Sequence, residues 1–136
     1  MVLQPQQAQD QTQDYLVQLQ LALNQWSLGG EWKILAEKAQ LVRVRGKIIF
    51  RFHARDLHLV MGPGPDERPV HFTVLLDGAR PGSNHGSDVD ESGNGIVRDQ
   101  RLYQLIRQNG DEDIKDRTFE IEFSDPNVEV YAFTFG

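Results

Sequence analysis

Three constellations in this chain carry residue types that do chemistry. The first is the loop DVDESGNG at 88–95. Asp88, Asp90, Ser92 and Asn94 place oxygen side chains at alternate positions, with Gly93 sixth and Asp99 twelfth, the spacing of a calcium-binding loop. Calcium is the one cofactor this pattern admits. The twelfth residue is not the usual Glu, and no helix precedes the loop. The competing reading is a tight acidic turn whose Asp and Asn side chains accept hydrogen bonds from their own backbone. The second constellation is HARDLH at 53–58. Strand alternation sends His53 and Arg55 to one face and Asp56 and His58 to the other. A zinc site needs its histidines to converge with further ligands, so polar residues at a sheet edge, with Arg55 supporting Asp56, are expected instead. The third is a set of residues that one exposed sheet face would gather: Arg51, His53, Arg55, His71, Arg101, Tyr103 and Arg107. Planar rings for stacking beside Arg and His donors suit sugar hydroxyls. An ordinary outward face, or one covered by a neighbouring segment or domain, is the alternative. Trp26 and Trp32, flanking Gly29-Gly30, read as core edges.

Other chemistries lack their residues. The chain has no cysteine, which removes thiol redox chemistry, disulfides and cysteine-based zinc sites. It has no G-x-S-x-G motif, and its carboxylates cannot be paired into a glycosidase dyad by spacing. The expectation is a non-catalytic protein. A net charge of −6 argues against nucleic acid as a partner, because phosphates require a basic field. Local basic spots at Arg43, Arg45, Lys47, Arg51 and Arg55 read as a solvated strand face. No apolar run has the length of a membrane span, so direct membrane insertion is not expected, and the N-terminal residues do not read as a signal peptide.

The elements that must position these residues are short strands. Residues 1–20 are rich in Gln and read as a tail or linker, leaving 21–136 as one module. Within 15–23 both a strand and a helical face fit, and an extended segment leading into the sheet is favoured. Alternation and Gly/Pro punctuation then predict strands over 31–35, 40–45, 47–54, 57–61, 70–76 and 96–108. The loop 77–95 is long enough to suggest function. The run from Arg117 to Gly136 reads as two paired strands around Ser124-Asp125-Pro126-Asn127. In its first half Phe119, Ile121 and Phe123 share a face. In its second half Val128, Val130 and Ala132 oppose Glu129, Tyr131 and Phe133. Many short strands make the chain all-β, a sandwich or a barrel.

The segments GEWKI, IIFRFHARDLHLVMGP, VLLDG with HGSDVDESGNG, RLYQLIRQ and DRTFEIEFSDPNVEVYAFTFG together resemble the C-terminal domain of DipZ-type cytochrome c biogenesis and thioredoxin-like fusion proteins, the thioredoxin-like C-terminal domain family. The resemblance implies a jelly-roll-like antiparallel β-sandwich, similar to carbohydrate-binding modules, attached to a thioredoxin-fold domain. It implies an extracytoplasmic setting where members are membrane-anchored. It brings no catalytic residue, since the redox Cys-x-x-Cys would lie in the thioredoxin part. The resemblance thus implies an accessory module with a thioredoxin-fold partner; the expected function is to bind a carbohydrate or a protein, or else to serve as a purely structural domain packed on that partner.

Overall fold

Period-2 alternation of aromatic and β-branched residues with polar ones builds this molecule. The computed structural model describes residues 12–16, 18, 20–108 and 114–135. Among them lie β1 (Thr12–Tyr15), β2 (Trp26–Ile34), β3 (Ala39–Leu41), β4 (Lys47–Phe52), β5 (Asp56–Gly62), β6 (Val70–Leu76), β7 (Asn94–Val97), β8 (Arg101–Arg107), β9 (Arg117–Phe123) and β10 (Glu129–Phe135). The strands run β7-β6-β9-β4-β2 on one side and β2-β3-β10-β5-β8 on the other, with β1 also on β2. All the pairings are antiparallel. The result is a jelly-roll-like β-sandwich.

β2 belongs to both sheets: Trp26–Gly29 pairs with β4, and Trp32–Ile34 pairs with β3. The change of sheet falls at Gly29-Gly30. Gly30 has φ +96°, and a Cβ there would come within 3.0 Å of the Gly46 Cα. A bend of this kind lets one strand turn a sandwich corner. Trp32 braces it by donating its indole N–H to the Gly29 carbonyl at 2.9 Å. Trp32 is fully buried, beyond the core edge expected for it, while Trp26 packs partly buried against the core.

The inward faces meet through aromatic rings. Phe50 of β4 stacks on Phe133 of β10 at 4.6 Å between centroids, and Phe119 of β9 meets the same ring edge-on at 6.1 Å. Trp32 meets Phe123 edge-on at 6.0 Å. Each pair joins one sheet to the other, and offset or edge-on rings add to the area they bury.

Several expectations need correction. The closing strands do not pair with each other. β9 lies between β4 and β6, and β10 lies between β3 and β5. The Ser124–Asn127 segment carries the chain across the sandwich: the Ser124 amide donates to the His71 carbonyl, and the Asn127 amide donates to the Leu41 carbonyl. In β10 the register shifts between Val130 and Ala132, leaving Tyr131 as an extra residue. That bulge reverses the faces after it, so Phe133 enters the core and Ala132 does not. The strand expected over 96–108 is two strands, broken at Arg98-Asp99-Gln100. The strand expected over 40–45 ends at Leu41, before a turn in which Arg45 has φ +67°. Thr12–Tyr15, placed in the Gln-rich tail by composition, is a strand on β2. Residues 1–11 of that tail lie outside the described residues.

The long loop closes an edge. β8 ends its sheet, and an open edge invites pairing with another chain. The Gly86 amide donates to the Leu105 carbonyl at 2.9 Å, the Asp88 amide to the Gln104 carbonyl at 3.1 Å, and the Gln104 amide to the Asp88 carboxylate at 2.7 Å. A Cβ on Gly86 would lie 2.3 Å from the Gln104 carbonyl oxygen, so the approach requires glycine.

Candidate functional site

The seven residues expected on one face occupy both sheets. Arg51 (β4) and His71 (β6) belong to one sheet, and Arg101, Tyr103 and Arg107 (β8) to the other. His53 and Arg55 lie between β4 and β5. Most are engaged internally. Arg51 donates to the Thr118 hydroxyl at 2.9 Å, the His53 ring lies 2.8 Å from Asp116, and Arg55 reaches Asp56 at 3.2 Å. His71 brings both its backbone amide and its ring Nδ1 to one Asp125 oxygen, at 2.7 and 2.9 Å. These His71 contacts hold the Asp125 carboxyl below the usual carboxylate range, the backbone bond contributing most and partial burial opposing it. Basic spots are likewise paired: Arg43 with Glu31, and Lys47 with Glu120 and Glu122.

Tyr103 overturns the expectation of an open face. It is 1% exposed. Its hydroxyl accepts the Arg98 and Asp99 amides at 3.1 and 3.2 Å and donates to the Asp99 carbonyl at 2.7 Å. In β8 the register shifts opposite Leu57/His58 and leaves Leu105 without a partner residue in β5. Tyr103, Leu105 and Ile106 are therefore all buried, and Arg107 returns to solvent. Arg101 lies over the Tyr103 ring, its Cζ 3.9 Å from the centroid, and forms a bidentate pair with Asp88 at 2.8 and 3.2 Å.

In the loop read as a calcium candidate, the Asp88, Asp90, Ser92 and Asn94 side chains each have a protein partner. Asp88 takes Arg101 and the Gln104 amide. Partial burial pushes its carboxyl up, but those hydrogen bonds and the Arg101 charge outweigh burial and leave it lowered. Asp90 accepts the Ser92 and Asn94 amides at 3.0 and 2.9 Å, the geometry of a self-capping acidic turn. Ser92 accepts Arg80, and Asn94 accepts the Thr73 hydroxyl. Among the described residues, no three His, Cys, Asp or Glu side chains gather as metal ligands.

Sequence reasoning missed a groove of about 370 Å³ at one end of the β3-β10-β5-β8 sheet. One wall is Glu129, where β10 begins; the other is Arg98-Asp99-Gln100, the break before β8. Gly62-Pro63-Gly64 and Glu67 complete it. Glu129 is 8% exposed and its carboxylate pairs with the Lys38 ammonium at 2.7 Å. That hydrogen bond raises the Lys38 pKa, burial opposing it. Beside the groove, the bulge residue Tyr131 places its hydroxyl 3.3 Å from Gln100 Oε1 and 3.4 Å from Glu129 Oε1. Burial, followed by the Glu129 charge, raises the Tyr131 pKa. These residues are scattered along the chain, and only Gly62-Pro63-Gly64-Pro65 stood out in the sequence, as a strand stop.

No helix among the described residues is long and apolar enough to cross a membrane. A family model described as the thioredoxin-like C-terminal domain matches residues 2–136. No curated protein matches the chain. Among solved structures it is similar to a family two carbohydrate esterase from Clostridium thermocellum in complex with cellohexaose, with a TM-score of 0.50 and 10% sequence identity. That likeness covers 74% of this chain but 27% of the esterase, and at such identity it concerns the fold alone. The family match spans nearly the whole sequence, and the chain belongs to the thioredoxin-like C-terminal domain family.

Proposed function

We propose that this protein is a non-catalytic accessory module of a thioredoxin-like redox protein, and that it binds a glycan and so positions the redox domain near its substrate. The observation that carries the accessory role is the family match over 2–136 in a chain that contains no cysteine. Thiol–disulfide exchange requires a thiolate, so the exchange would belong to the thioredoxin-fold part. The glycan half draws support from a sandwich fold shared with a carbohydrate esterase solved with cellohexaose. The test pairs an oligosaccharide array with titration against a thioredoxin-fold domain. Saturable binding to an oligosaccharide supports the module as a ligand binder.

A second reading is a structural domain that packs on the thioredoxin-fold domain and binds nothing else. It is favoured by the internal engagement of Arg51, His53, Arg55, His71 and Arg101. A flat array together with tight association with the redox domain supports this second reading and overturns the first.

A further inference from the structure

We propose that the groove between Glu129 and the Arg98–Gln100 turn is a subsite for a neutral sugar; the inference rests on the glycan-binding reading above. Its volume of about 370 Å³ lies at the small end of the range of ligand sites, roughly 300–1,000 Å³. Its chemistry is mixed. Glu129 and Gln100 offer oxygen acceptors, Gln100 and Arg98 offer N–H donors, and Tyr131 brings its hydroxyl to Gln100 and Glu129 from beside the groove. Sugar hydroxyls act as donor and acceptor at once, which suits this mixture of acceptors and donors.

The charges favour a neutral ligand. Lys38 and Arg98 stand against Glu67, Asp99 and Glu129, so the groove has no strong field of either sign. An anionic sugar would meet three carboxylates, one of them the largely buried Glu129. A cationic ligand would compete with Lys38, already 2.7 Å from Glu129.

The walls are held in advance of any ligand, which lowers the ordering cost of binding. The Tyr103 hydroxyl pins the Arg98-Asp99 backbone through three hydrogen bonds, while both side chains face solvent. Beyond the opposite wall the β10 bulge re-aims Tyr131, and bulges redirect side chains next to functional sites. Gly64, Glu67 and Asn127 all adopt positive φ around this end of the sheet, at +89°, +56° and +76°. A Cβ on Gly64 would lie 2.1 Å from the Asn127 carbonyl oxygen, so the two turns are interlocked. The Tyr131 hydroxyl has one proton for two acceptors at 3.3 and 3.4 Å. Both contacts are long for O–H···O bonds, and a ligand oxygen at normal distance would replace them at small cost.

The test is amide NMR on the full chain, titrated with a panel of neutral and anionic oligosaccharides, cellohexaose among the neutral ones. The expected result is saturable shifts at the amides of Gly62, Gly64, Asp99 and Gln100 with a neutral member of the panel. Tyr131→Ala and Gln100→Ala should each weaken that binding, roughly 3–10-fold, while keeping the wild-type spectral dispersion. Arg51→Ala, on the other sheet, should leave it unchanged. Saturable shifts at Arg51 and His71, with both groove variants binding normally, overturn the groove while glycan binding stands. A preference for anionic sugars overturns the neutral assignment. No response to any sugar overturns both, and groove shifts produced only by a thioredoxin-fold domain replace the sugar with a protein partner.

Discussion

Tyr103→Phe separates the two roles that β8 could give this side chain. The substitution keeps the ring, so Arg101 retains its aromatic partner and the core keeps its volume. It removes a hydroxyl that accepts two backbone amides and donates to one backbone carbonyl. A net intramolecular hydrogen bond is worth about 0.5–1.5 kcal/mol. Arg98 and Asp99 are exposed, so water replaces part of what is lost. The three bonds together should therefore cost about 2 kcal/mol. With urea slopes of about 1–3 kcal/mol per molar, the unfolding midpoint should fall by roughly 1 M. The assay is equilibrium urea denaturation followed by tryptophan fluorescence. A shift below about 0.2 M would mean that the hydroxyl braces nothing, and the account of a pinned groove wall would fail with it. An exposed Tyr serving only as a ligand platform would give that small shift.

Three further outcomes follow from the same structure. Gly86→Ala forces a Cβ to 2.3 Å from the Gln104 carbonyl oxygen; it should destabilise the fold by roughly 1–3 kcal/mol and open the β8 edge, read as a lower melting temperature with more light scattering. Asp88 and Asp125 bind their protons less tightly folded than unfolded. Their contribution is therefore present above the unfolded carboxylate value of about 3.9 and is lost as pH falls through the lowered folded values. Urea midpoints should drop between about pH 5 and pH 2, and the Asp88→Asn, Asp125→Asn double variant should flatten that slope; an unchanged slope refutes the assignment. Because Asp88, Asp90, Ser92 and Asn94 each have a protein partner, millimolar calcium should leave the melting temperature unchanged, and a rise would place an ion in the loop.

The strands were legible in the sequence because alternation is local. Lys47–Phe52 and Val70–Leu76 announce themselves through Ile48, Phe50, Phe52 and Val70, Phe72, Val74. Partners were not legible, since alternation gives a period and says nothing about which strand lies alongside. The closing strands read as a pair, yet β9 and β10 lie in opposite sheets. Bulges were equally hidden. One extra residue at Tyr131 and one at Leu105 reverse the faces that follow, and these reversals explain why Phe133 is buried and Arg107 exposed. The adjacent apolar pair Leu105-Ile106 breaks strict alternation, but a pair of this kind does not by itself say that a residue is extra. The groove was invisible because its walls come from β10 and a turn about thirty residues earlier, joined only by the sheet order.

The most direct test of the account is an oligosaccharide array probed with this chain alone and with a thioredoxin-fold domain attached. The account predicts saturable binding to a neutral oligosaccharide in both forms, weakened in both by Tyr131→Ala. A flat array in both forms, with tight association between this chain and the redox domain, would contradict it and leave a structural domain in its place.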